Sequence, residues 1–198
     1  MKSGSYADDE FRSEPDLDAL RRAYALIQSD PAKAMGELED LAKRNSAMSM
    51  IYLGDMFERG TGTAIDLEKA EDWFSKASLS GSVEGAFRLG MLYLLRNNKE
   101  KAEDVFRSEI LKEFPPALDR LGSLYVERGD AESIEQARLL FETADALGNI
   151  YAKRHLAGLM ITGRLGISRI LPGFWLLARS VKTGFSLAVS DPGSDRIR

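Results

Sequence analysis

Residues 49–81 read SMIYLGDMFERGTGTAIDLEKAEDWFSKASLSG. Two periodic segments flank a glycine-rich break. In the first, Leu53, Gly54 and Phe57 share one helical face; in the second, Ala70, Phe74 and Ala77 do the same. Gly60-Thr61-Gly62 between them reads as an interhelical turn that needs positive φ. Asp66 stands where an N-cap is needed for the second helix, and Gly81 falls at its end, where a left-handed residue closes a helix. The stretch is a helix–turn–helix unit.

The same pattern recurs along the chain. Leu-Gly followed by an aromatic residue appears at Leu53-Gly54-x-x-Phe57, Leu89-Gly90-x-x-Tyr93 and Leu121-Gly122-x-x-Tyr125. Degenerate copies are Leu20-Arg21-x-x-Tyr24 and Leu156-Ala157-x-x-Met160. The leucines are spaced by 33, 36, 32 and 35 residues, room for two helices and their turns. Each is followed by a small residue with a bulky one four later: Ala34/Leu38, Ala70/Phe74, Ala102/Phe106, Ala137/Phe141 and Gly173/Leu177. Asp30, Asp66, Asn98 and Ser133 are the expected N-caps of these second helices, with Ser133 to Gln136 as a capping box. Gly81, Gly148 and Gly184 are expected at their C-termini.

The fold class expected is all-α: a right-handed α-superhelical solenoid of about five helix–turn–helix repeats. The units run roughly over 16–45, 46–81, 82–114, 115–148 and 149–184. No single unit can bury its apolar face alone, so stacking supplies the core. Gly54, Gly90, Gly122 and Ala157 are expected where the paired helix approaches closely. Residues 1–15 read as a flexible acidic tail, 16–184 as the repeat domain and 185–198 as a C-terminal tail.

The second unit, from Ser49 through Gly60-x-Gly62 to Lys76-Ala77 and Gly81, closely resembles the Sel1-like repeat, a relative of the tetratricopeptide repeat. The third and fourth units keep the Leu-Gly-x-x-Tyr helix and lose the Gly-x-Gly loop. The first and fifth diverge, as capping units do. The resemblance implies an all-α superhelix serving as an interaction scaffold. It implies no cofactor and names no partner.

Composition narrows the function classes. The 198 residues carry 27 basic and 31 acidic side chains, a net charge of -4, so the balance gives no support to nucleic-acid binding. With no cysteine there is no thiolate nucleophile, no Cys-ligated zinc and no disulfide. His155 is the single histidine, which removes multi-His metal sites. Acidic neighbours such as Glu39-Asp40 and Glu71-Asp72 point about 100° apart on a helix and read as solvated charge. The N-terminal MKSGSYADDEFRSEPD has no apolar core of a secretory signal, which favours the cytoplasm.

Candidate partner-binding positions follow from the repeat geometry. With each repeat leucine at zero degrees, residues two before and two after lie opposite the core side. They include Arg22, Ile51 and Asp55, Phe87 and Met91, Asp119 and Ser123, and Arg154. Ile51, Phe87 and Met91 are apolar where solvent is expected, flanked by charges, which suits a protein or peptide segment lying in a concave groove. The alternative is that the superhelix closes and buries these side chains itself. Leu165 to Val181 is the one segment with a membrane reading. It is interrupted by Arg169, Pro172-Gly173 and Arg179, and falls well short of the ~20 apolar residues of a spanning helix. A buried terminal helix is the first reading. Interfacial contact through Phe174 and Trp175, in a peripheral component of a bacterial envelope or polysaccharide assembly system, is the second, and homodimerisation through this helix or the apolar stripe is a third.

Overall fold

The computed structural model describes residues 13–190, with side chains through Arg179 and at Val181. All regular structure among these residues is helical. The helices are α1 (Leu17–Ser29), α2 (Pro31–Lys43), α3 (Ala47–Arg59), α4 (Leu67–Leu79), α5 (Val83–Leu95), α6 (Lys99–Phe106), α7 (Pro115–Arg128), α8 (Ala131–Ala146), α9 (Ile150–Ile161) and α10 (Ile170–Ser190). Short 3-10 turns occupy Glu109–Leu111 and Ile167–Arg169. The helices pack as consecutive pairs, the arrangement of a helical-repeat solenoid.

The chain forms two compact units, one ending at Val105 and one beginning at Phe106. In the first, α1 pairs with α2 and α3 with α4, and α5 follows on α4. The first helices of successive repeats also touch directly, α1 against α3 and α3 against α5. In the second, α7 pairs with α8 and α9 with α10, with α8 against α9 and α7 against α9.

Capping explains where the helices begin. Asp16, Asp30, Ser46, Asp66, Ser82 and Asn149 each accept a backbone N–H of the first turn through their side chains. Asn98 does the same for the N–H of Lys101. The cap of α8 is Asp130 rather than Ser133: its carboxylate accepts the backbone N–H of Ser133 at 2.8 Å and the Ser133 hydroxyl at 2.6 Å. An acceptor with two oxygens takes both donors, so the helix starts two residues before the expected serine. Gly81 and Gly148 have φ of 94° and 97° and end the second helices of their repeats, and Asn45, at φ 66°, fills that place in the first. Gly184 instead lies inside α10, which runs on to Ser190.

The Leu-Gly pairs have the packing role expected of them at Gly54 and Gly122. A Cβ on Gly54 would stand 2.5 Å from Phe74 Cε1, and one on Gly122 would stand 2.6 Å from Phe141 Cε1. Phe74 and Phe141 are fully buried, so each ring fills the space left by a missing side chain one helix away. Of the expected N-terminal tail, residues 1–12 lie outside the described residues. Glu14 is anchored: it accepts the hydroxyl of Ser46 and the backbone N–H of Met48, adding a second acceptor to the start of α3. Of the expected C-terminal tail, 185–190 continue α10 and 191–198 lie outside the described residues.

Candidate partner-binding surface

In the first unit the candidate residues lie on the first helices of successive repeats, and Asp55 bonds across from α3 to α5. Ile51 and Asp55 share a face of α3, and Phe87 and Met91 share a face of α5. The two faces are tied by Arg88, whose Nη2 donates to Asp55 Oδ2 at 2.6 Å. Arg88 Nε also lies 3.5 Å from Glu84 Oε1, an ionic approach too long for a strong hydrogen bond. Asp55 Oδ1 and Arg88 Nε are buried without a hydrogen-bond partner. Burial pushes the Asp55 carboxyl above its ordinary range, opposed by the charges of Arg88 and Arg59.

The candidate residues of the inner face differ in burial. Ile51 is only 2% exposed and belongs to the core with Leu53, Met56 and Phe74. The closed reading is therefore the one that applies to it: α3 is flanked by α1 and α5, and the seam takes the side chain in. Phe87 and Met91 are half-buried, and Arg22 is exposed on α1. Beside them Tyr24 and Tyr52 pack with ring centroids 4.9 Å apart, Tyr24 more than half exposed. Burial raises the Tyr52 phenol to about 12, with Tyr24, Asp55 and Glu14 adding to the shift.

In the second unit Asp119 is 6% exposed, and its Oδ1 meets His155 Nδ1 at 2.8 Å. The His155 ring packs on Phe141, centroids 5.2 Å apart, and Phe141 is the ring that fills the space at Gly122. His155 thus ties α9 to both helices of the preceding repeat. Ser123 is half-buried and its hydroxyl donates to the Asp119 carbonyl oxygen within α7. Arg154 is exposed, its guanidinium over the Tyr151 ring at 5.2 Å. So Asp119, like Ile51, lies in a seam, while Arg154 faces solvent.

Position-by-position reading of the inner face missed Arg88 and His155. Each stands one residue before its repeat leucine and bonds a carboxylate on the preceding first helix. The signal was present in the sequence. That position holds Tyr52, Arg88, Arg120 and His155, long polar or aromatic side chains suited to reach across a helix seam. Among the described residues, no group of three His, Asp or Glu side chains comes together as a metal site. No described helix is long and apolar enough to cross a membrane.

Paired helices stacked through their first helices define the chain as a helical-repeat protein. Residues 47–82 match the Sel1 repeat family model, and solved structures share the fold across most of the chain. A protective antigen of uropathogenic Escherichia coli displaying an SLR fold superposes with a TM-score of 0.71 at 19% identity, covering 96% of this chain. This chain spans 44% of that protein, less than half its length. A Sel1 repeat protein from Oxalobacter formigenes gives a TM-score of 0.64 at 18% identity, over 85% of this chain and 70% of its own. An immunity protein from Pseudomonas aeruginosa gives 0.52 at 22% identity, over 88% of this chain and 70% of its own. At these identities the likeness is one of fold. No curated protein matches the sequence.

Proposed function

We propose that this chain is a non-catalytic protein–protein interaction scaffold, working in a bacterial cytoplasm, whose partner segment docks on the first-helix face of the N-terminal unit. The reading rests on one observation: half-buried Phe87 and Met91 stand beside the Asp55–Arg88 pair, in which Asp55 Oδ1 has no hydrogen-bond partner and Arg88 Nε has only the long ionic approach to Glu84. Apolar contact area beside unsatisfied polar atoms is what an incoming backbone or side chain improves on binding. Phe87 and Met91 supply the apolar anchor, Arg22 steers an acidic segment from the exposed rim, and Asp55 and Arg88 set its orientation. Ile51 contributes by supporting the face from beneath. Asp119, Ser123 and Arg154 belong to the corresponding face of the C-terminal unit, where Arg154 is the accessible group.

The test is affinity capture from source-cell lysate with the wild-type chain beside Phe87→Glu/Met91→Glu and beside Arg22→Glu. Circular dichroism establishes that each variant is folded. Arg22 is exposed, so its charge reversal separates loss of binding from loss of structure. A protein captured by the wild type and lost from both variants is the expected result. Identical captures by all three overturn the assignment.

A further inference from the structure

The last second helix, α10, differs from α4 and α6 at three positions around its buried small residue. Register is set by the buried small residue of each second helix: Ala70 in α4, Ala102 in α6 and Gly173 in α10. Two before, one after and two after that residue, α4 has Glu68, Glu71 and Asp72, and α6 has Glu100, Glu103 and Asp104. At the same positions α10 has Leu171, Phe174 and Trp175. Leu171 is 81% exposed and Trp175 64%, and Val181, two turns further on, is also exposed.

A further repeat stacked on α10 would leave the Leu171 and Trp175 positions open; the Phe174 and Val181 positions are those of Glu71 in α4 and Asp145 in α8, which bond Tyr93 and Lys153 of the following repeat. In α4, Glu68 and Asp72 stay exposed although α5 packs against the helix. In α8 the corresponding Glu135 and Leu139 stay exposed although α9 packs against it. Leu171 and Trp175 hold those outward positions, so their exposure belongs to the face itself.

Charge narrows what covers it. From Ala146 to Ser190 the sequence has no Asp or Glu, and it carries Lys153, Arg154, Arg164, Arg169, Arg179 and Lys182, within a chain whose net charge is -4. Arg169 and Arg179 are exposed, Arg169 near enough to Glu135 of α8 to join Arg138 in holding its carboxyl below the ordinary range, and the Arg179 guanidinium lies 5.4 Å from the centre of the Trp175 ring. A symmetric contact between two copies of this helix would set these cations against themselves, a like-charge juxtaposition that costs binding energy. An apolar helical face with aromatic residues and a cationic rim matches an interface of hydrocarbon and anionic headgroups, where such a helix lies in the surface plane.

We propose that the outward face of α10, built by Leu171 and Trp175 beside Arg179, docks the protein on an anionic lipid bilayer. This surface is separate from the Phe87–Met91 face, so either assignment stands or falls without the other. The test uses the full chain with phosphatidylcholine vesicles and with vesicles of phosphatidylcholine and phosphatidylglycerol in equal parts. Wild type is expected to sediment with the anionic vesicles and to be released by high salt. Leu171→Glu/Trp175→Glu is expected to lower vesicle affinity at least about tenfold, since each substitution replaces buried apolar area with a charge repelled by the headgroups. Both side chains are more than half exposed, so the variant is expected to keep the wild-type circular dichroism and unfolding midpoint. In a Trp73→Phe background Trp175 is the sole indole, and its emission is expected to shift to the blue on anionic vesicles only. Absence of sedimentation, equal sedimentation of the folded double variant, or a lipid-independent dimer abolished by Trp175→Glu each overturns the proposal.

Discussion

Gly54→Ala adds one methyl group at a helix interior and is expected to destabilise the protein, against the usual sign of that substitution. In α3 the change gains about 1 kcal/mol of helix propensity. The added Cβ, however, would lie 2.5, 2.7 and 2.9 Å from Cε1, Cδ1 and Cζ of Phe74. Phe74 has no exposed surface, so the ring cannot swing into solvent. Helix α3 must move off α4, or the ring must leave its rotamer, and overpacking of this kind costs about 1–3 kcal/mol. The net is a loss of up to about 2 kcal/mol. Gly122→Ala, facing Phe141 Cε1 at 2.6 Å, is expected to behave alike. Gly36 in α2 and Gly158 in α9 are the controls, because a Cβ there meets nothing within 4 Å. Their alanine variants are expected to gain up to about 1 kcal/mol. Urea unfolding with a common m-value measures all four. Gly54→Ala matching Gly36→Ala would refute the close-approach argument. Adding Phe74→Leu is expected to relieve part of the Gly54→Ala penalty, giving a favourable coupling energy in the double-mutant cycle.

Two further outcomes follow from the caps and the buried phenols. Asp130→Ala is expected to cost about 1 kcal/mol in urea unfolding, and Ser133→Ala distinctly less, because the aspartate is the acceptor for the first turn of α8; equal losses would restore Ser133 as the cap. Tyr52 and Tyr93 both ionise near 12 instead of 10.0, the first chiefly through burial and the second through burial and its hydrogen bond to Glu71. A raised phenol keeps its proton in the folded state where the unfolded chain has lost it, so this stability is full below pH 10 and is lost as the pH rises toward 12. Tyrosinate absorbance, followed with alkaline unfolding, is expected to show both phenols titrating late, and substitution of either by Phe is expected to flatten the loss.

The repeat was legible because its signals are local. Leu53-Gly54, Ala70 and Phe74 lie within one unit, and helical periodicity alone puts them face to face. The seams between units were less legible, because each needs two residues a full repeat apart. Asp55 meets Arg88 and Asp119 meets His155 only after the solenoid brings successive first helices side by side. Reading each helix alone sets Ile51 and Asp119 opposite the core, and that is correct for an isolated helix pair. It fails once α3 is flanked by α1 and α5, and α7 by α9, because a second contact turns the far side of the helix into a seam. Cap choice failed for a smaller reason of the same kind. Asp130 and Ser133 are both good caps, and a carboxylate that can accept both the Ser133 N–H and its hydroxyl outbids a hydroxyl that can serve only one. In a repeat protein, then, residues that recur at one register position with matched chemistry on the preceding repeat mark seams, whereas residues that break the chemistry of their register position are the ones to test as docking surfaces. Arg88 and His155 belong to the first kind. Leu171 and Trp175, standing where α4 and α6 keep acids, belong to the second.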